Sequence, residues 1–179
     1  MTNAKKTDWT DRESVRARVA ELPREAVLAI AVRAAERALP TISTATHPDT
    51  LERWNTLDAA LAVVKRFLHG EPVSKFTLRQ ARDLSYDVAD IADSAAADAV
   101  LYVASAAVEA DPTRSLVEGL RAAVRAVPEQ ANLIDADCVG EIGGSDGPLW
   151  QDGEPCWWAD ATDLLESRRP ILPIVLRLP

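Results

Sequence analysis

Apolar and polar positions follow a helical period over most of residues 10–127, and the clearest case runs from Asp49 to Gly70. There Leu51, Trp54, Leu57, Leu61, Val64 and Leu68 recur at three- and four-residue steps. That spacing winds them into one apolar stripe in need of a partner surface. His47-Pro48 blocks helical geometry just upstream, and Asp49 or Thr50 can cap the first free amides. Gly70, followed by Glu71-Pro72, supplies a left-handed cap and a stop. This stretch is expected to be the central helix.

Other stretches carry the same period with different punctuation. Thr10-Asp-Arg-Glu13 has the spacing of a capping box, so a first helix is expected to run to about Leu22, with Pro23 interrupting it or starting the next. From Arg24 to Leu39, Val27, Ile30, Ala31, Ala34, Ala35 and Ala38 fall towards one side and Arg33, Glu36 and Arg37 largely on the other, until Pro40. Thr41 to Pro48 has no helical period and reads as a short connection, which makes the helices around it antiparallel neighbours. Thr77-Leu-Arg-Gln80 is a second capping-box pattern, and Ala81, Leu84, Val88 and Ile91 continue from it at helical spacing. Ser94 is compatible with the start of a separate alanine-rich helix or with one running straight through. Asp111-Pro112 closes that region. A last helix, Thr113 to about Val127, has Leu116, Leu120, Val124 and Val127 in register, with Gly119 a modest local penalty, and Pro128 ends it.

At residue 131 the pattern stops. Five of the seven glycines lie between Gly140 and Gly153, and three of the five tryptophans are Trp150, Trp157 and Trp158. Nine acidic residues stand between Asp135 and Glu166 with no Lys or Arg among them. The final run, from Pro170 to Pro179, is held extended by its prolines and is apolar enough to pack back on the helices. The expected fold is therefore all-α: a compact bundle or array of five to six helices over residues 1–130. The remainder, 131–179, is expected to be an irregular acidic, tryptophan-containing segment packed on it as part of the same domain.

Composition narrows the function. A chain of 179 residues can bury a core as one domain without staples. Aliphatic residues dominate the 47% hydrophobic fraction while aromatics are only 5%, which favours close-packed helices. The net charge of −8 argues against binding phosphate backbones and leaves basic proteins as natural partners. Nucleic-acid binding is not expected. Neither a signal-peptide pattern nor a bilayer-length apolar run occurs, so a cytoplasmic location without membrane contact is expected. Cys138 and Cys156 are too few for a disulfide scaffold and are expected to be free thiols.

Candidate chemistry is sparse. Asp135, Asp137, Gly140, Ile142 and Asp146 align with positions one, three, six, eight and twelve of a calcium loop, but position five is Val139 and position twelve is a short aspartate. An acidic turn is the better reading, and no cofactor or metal is expected. His47 and His69 flank the 49–70 helix, so they cannot share a site through it, and His69 complements its C-terminal dipole. No metalloprotease, phosphate-loop or nucleophile-elbow pattern is present, and Cys156 has no base nearby in sequence, so an enzyme is not expected. Two features suit partner binding. Asp83, Asp87, Asp90 and Asp93 form an acidic stripe roughly opposite Leu84, Val88 and Ile91, and Asp135, Asp137, Trp150, Trp157 and Trp158 add acid and large aromatics further on.

The order of features over residues 26–110 resembles the Imm5-like group, an all-helical immunity-protein family of bacterial polymorphic toxin systems. Ala35-Glu-Arg-Ala-Leu-Pro40, the Pro48-Asp49 helix start, Phe67-Leu-His-Gly70 and the alanine-rich helices from Ala81 to Ala110 carry the likeness. The tail after 131 lies outside it, and the family offers no motif from which a functional residue can be transferred. The resemblance implies a cytoplasmic protein that binds a cognate toxin and blocks it. The alternative is a non-catalytic helical adaptor or oligomerisation module, for which the alanine surface from Ala95 to Ala110 would permit close helix approach between copies.

Overall fold

In the computed structural model, which describes residues 7–44 and 49–138, the helices are α1 (Arg12–Ala20), α2 (Arg24–Ala38), α3 (Thr50–Leu68), α4 (Lys75–Ala92), α5 (Ala95–Val108), α6 (Thr113–Ala126) and α7 (Ala131–Cys138). Short 3₁₀ turns follow α2 at Leu39–Thr44 and precede α7 at Pro128–Gln130. The described residues are thus all-helical, without strands, and none of their helices is long and apolar enough to cross a membrane. Among the described residues, six α-helices lie within residues 1–130, in line with the five to six expected there, and a seventh, α7, lies beyond. The composition break at residue 131 does not end the helical body, because α7 lies beyond it and buries Ile134 completely.

The helices pack in the order α1, α6, α5, α4, α3, with α2 lying against α3, α5 and α6, and α7 set on α2. This arrangement moves the centre. Of the fifteen residues of α2, eleven are buried, including Arg33, whereas α3 keeps Leu51 outside and Trp54 only half-buried. The α3 spacing needs one partner surface and gets one; the small side chains of α2 let neighbours close on it from several sides. Leu57, Leu61, Val64 and Leu68 of α3, Val100 and Val103 of α5, and Leu116 and Leu120 of α6 complete the core. The α5–α6 contact is the most extensive of all. Gly119 there is less a penalty than a point of close approach: a Cβ at that position would stand 3.3 Å from Cβ of Tyr102 and 3.7 Å from the carbonyl oxygen of Ala99. The alanine surface from Ala95 to Ala110 is also taken up internally, since Ala96, Ala97, Ala99, Ala104, Ala106 and Ala107 are buried.

Helix ends follow punctuation more closely than capping patterns. Gly70 takes the left-handed conformation after α3, with φ 77°. Asp11, not Thr10, caps α1, accepting a 2.7 Å hydrogen bond from the Ser14 amide, because the Thr10 hydroxyl is donated to Asp8. Ser74, not Thr77, caps α4 and accepts from the Thr77 amide at 3.0 Å. At the other end of α4, Asp93 adopts φ 43° and ψ 48°, so the chain breaks there and α5 begins as a separate helix. Left-handed backbone costs an L residue up to about 1–2 kcal/mol, least for Asn and Asp. Asp93→Gly is therefore expected to raise stability by a few tenths to about 1 kcal/mol in urea unfolding, while Asp93→Val lowers it.

Candidate protein-binding surface

Helix α4 packs between α3 and α5, with one side buried and the other open. Leu78, Ala81, Ser85 and Val88 face inward, with the Ser85 hydroxyl donating 2.8 Å back to the Ala81 carbonyl. Leu84 and Ile91, expected on that inner side, are instead exposed. The small Ala81 and Ser85 let α4 sit close to its neighbours, and this line of contact leaves Leu84 and Ile91 rotated away by roughly 80–100°, at about 100° per residue. Five large apolar or aromatic side chains are well exposed among the described residues: Leu51 (69%), Phe76 (73%), Leu84 (47%), Tyr86 (58%) and Ile91 (66%). Four belong to α4 and the fifth to α3, which packs beside it. Such clustering differs from the scattered single exposures of an ordinary surface.

The acidic stripe shares this helix. Asp83, Asp87 and Asp90 are exposed, and Asp93 is exposed in the left-handed position that ends α4. Asp83 pairs with Arg82 at 2.6 Å in an open setting that adds little stability. Burial pushes the Asp98 carboxyl above its ordinary value, Arg125 at 3.6 Å offsets part of the rise, and the charge of Asp93 adds to it.

Charge along α4 runs against the helix dipole, which favours acids at the start and bases at the end. Helices α1, α2 and α3 obey this rule with Glu13, Glu25 and Glu52 in their first turns and Arg18, Arg37 and Lys65-Arg66 in their last. Helix α4 begins with Lys75, has no acid in its first turn and no base in its last, and ends Asp87, Asp90, Asp93. Its end turns therefore gain no stabilisation from the helix dipole, and Asp90 in the last turn opposes it.

Two depressions flank α4. Between α3 and α4 is a largely apolar groove of about 660 Å³, walled by Leu51, Val63 and Leu84 over a floor that includes the buried Ala60 and Ala81, with Ala59 exposed at its open side. On the other flank, Arg82, Asp83 and Tyr86 meet Tyr102 of α5 and Glu109 and Arg114 beyond it in a more polar cleft of about 580 Å³.

The remaining predicted site residues are placed differently. Asp135 is partly buried in α7 and accepts a 3.1 Å hydrogen bond from the indole Nε1 of Trp9. Asp137, at 2% exposure, lies inside the protein, with its Oδ2 3.1 Å from Arg37 and 4.0 Å from Arg33. These two carboxylates tie α7 to Trp9, ahead of α1, and to α2, and are not gathered with the α4 stripe. The acidic turn expected at Asp135 begins instead as helix, which turns positions one and three of the calcium-loop alignment towards different partners. Among the described residues, no group of three or more His, Cys, Asp and Glu side chains is arranged to hold a metal. Trp150, Trp157, Trp158, His47, Cys156 and the rest of the calcium-loop alignment lie outside the described residues. Phe76, Tyr86 and Glu52 join the surface without having been singled out by the sequence pattern, and Leu51, expected in the buried α3 stripe, joins it because the first turn of α3 extends past its partner surface. The available signal is that Phe76 and Tyr86 stand off the period of Leu78 and Val88.

Cys138 closes α7 as a buried free thiol. Burial pushes its pKa from 9.0 up to about 12; Arg18 opposes the rise, while Asp135 and Asp137 add to it. The folded chain therefore keeps the thiol proton where the unfolded chain releases it. Stability from this group is present below pH 9 and is lost as pH rises from about 9 towards 12. Urea midpoints between pH 8 and about 10.5 are expected to fall more steeply in the parent chain than in Cys138→Ala.

Comparison of the chain with protein-family models, with curated proteins and with solved structures finds no match.

Proposed function

We propose that this chain is a non-catalytic, immunity-type protein that binds a cognate bacterial toxin in the cytoplasm and neutralises it, with the outer face of α4 as the main contact. One observation carries the proposal: the well-exposed large apolar side chains of the described residues all belong to α3 and α4, where they adjoin carboxylates set against the α4 dipole. Aromatic and apolar anchors supply affinity, and a like-charged stripe selects and steers a partner of opposite sign. The Imm5-like order of features over residues 26–110 supports the toxin reading, and the net charge of −8 favours a basic partner. Arrangements that cost the free fold stability belong with function, because a bound partner supplies the compensating charge.

The test uses a variant that is more stable yet does not bind. Asp90→Lys puts a cation in the last turn of α4 and is expected to gain about 0.3–1 kcal/mol at low salt. Combined with Asp87→Lys, it should weaken binding of the protein that copurifies with the full chain at least tenfold. That protein should be basic, should dissociate as salt is raised, and should lose its toxicity when the parent chain is present. Undiminished binding by the folded double variant would remove the proposal.

A further inference from the structure

Resting on the reading of α4 as the contact surface, we infer that the groove between α3 and α4 seats an amphipathic helix of the partner, with lysine or arginine along its margin. The floor of alanines with Thr56 and Thr77 allows close approach, while Leu51, Val63 and Leu84 form walls for large apolar side chains. From Leu51 to Val63 the groove follows thirteen residues of α3, a rise of about 18 Å, the length of a helix of three to four turns. An occupant of that length anchors itself with apolar residues at i, i+4, i+7 and i+11. Its charge is set by the margin. Glu52 is the one acidic residue lining the groove, no lysine or arginine lines it, and Asp87 stands one turn beyond Leu84 on α4, while Arg66, one turn beyond Val63 on α3, is already paired with Glu71 at 2.6 Å. An extended segment would leave its backbone amides facing this apolar floor without partners, whereas a helix satisfies them internally.

The probe is a synthetic 16-residue alanine- and lysine-based helical peptide carrying leucine at i, i+4, i+7 and i+11, titrated by fluorescence anisotropy against the full-length chain. Ala59 is exposed, so Ala59→Trp fills the groove from its open side while leaving the core untouched, and an unchanged urea midpoint confirms this. Binding of the peptide is expected to weaken at least tenfold with Ala59→Trp, with Glu52→Lys/Asp87→Lys, and when glutamate replaces the peptide's lysines. Peptide affinity unaffected by Ala59→Trp, or equal for the acidic peptide, overturns the inference. A photo-crosslinker at Ala59 in the full chain separates the occupants. Adducts to a basic helical segment of the copurifying protein support the inference; adducts to a second copy, or to residues 168–179 of the same chain, overturn it. If Ala59→Trp leaves the partner bound while Asp87→Lys/Asp90→Lys releases it, the groove inference fails and the α4 reading stands. If neither variant releases the partner, both fail.

Discussion

Asp137→Leu is expected to be the most damaging single substitution outside the apolar core, lowering stability by about 3–5 kcal/mol, a large share of what a domain of this size possesses. The carboxylate lies 3.1 Å from Arg37 and 4.0 Å from Arg33, and both arginine side chains are themselves largely buried. Removing the carboxylate takes away an ion-pair partner shared by both cations in a region that water enters poorly, where the lost attraction is screened little. The net contribution of the intact cluster is a separate matter, because burying the charges has already cost much of what their attraction returns. Arg37→Met/Asp137→Leu should therefore lose less than Asp137→Leu alone. Urea unfolding of the four members of this cycle measures the coupling, and additive losses would show that the pair does not interact.

Ile134→Ala should cost about 2–5 kcal/mol, as for other large core side chains cut back to alanine. Its importance lies in its position. Ile134 is completely buried in a helix that begins just after the composition break, flanked by Asp135 on Trp9 and Asp137 on the α2 arginines. Helix α7 thus has three kinds of attachment to the body: apolar contacts centred on Ile134 and Cys138, the Asp135 bond to Trp9, and the Asp137 pairing with the α2 arginines. A chain ending after Gln130 loses all three, together with the support they give Trp9, and is expected to be unfolded or molten at 25 °C by near-ultraviolet circular dichroism. Any cut meant to separate the acidic tail from the helical body belongs after residue 138. A well-folded chain ending at 130 would show that α7 is an accessory.

Helical class and most boundaries are legible in the sequence, because Pro23, Pro40, Gly70 and Pro128 act locally whatever packs nearby. Caps are less legible. Thr10 and Thr77 both have the capping spacing, yet Asp11 and Ser74 do the capping, since a competing hydrogen bond to Asp8 or a helix starting three residues earlier changes which side chain meets a free amide. The centre is hardest to read. An alanine-rich helix suits exposed and enclosed positions alike, and only tertiary packing encloses α2 and buries Arg33. Likewise, the acidic half of the candidate surface follows from the spacing of Asp83, Asp87 and Asp90. Its apolar half does not, because Leu84 and Ile91 share the period of Val88 and are left outside by the inward choice of Ala81 and Ser85.

The central claim is that the outer face of α4 is where a protein partner binds. The most direct measurement places a photo-crosslinking phenylalanine analogue at Tyr86, at Ile91 and, as a control, at Arg16, which is exposed on α1 far along the packing order from α4. Irradiation is carried out in cells of the native host. The account predicts adducts to one and the same basic protein from Tyr86 and Ile91, none from Arg16, and loss of both adducts in the Asp87→Lys/Asp90→Lys background. Adducts from Arg16 alone, or adducts from α4 that survive the charge reversal in a folded chain, would contradict it.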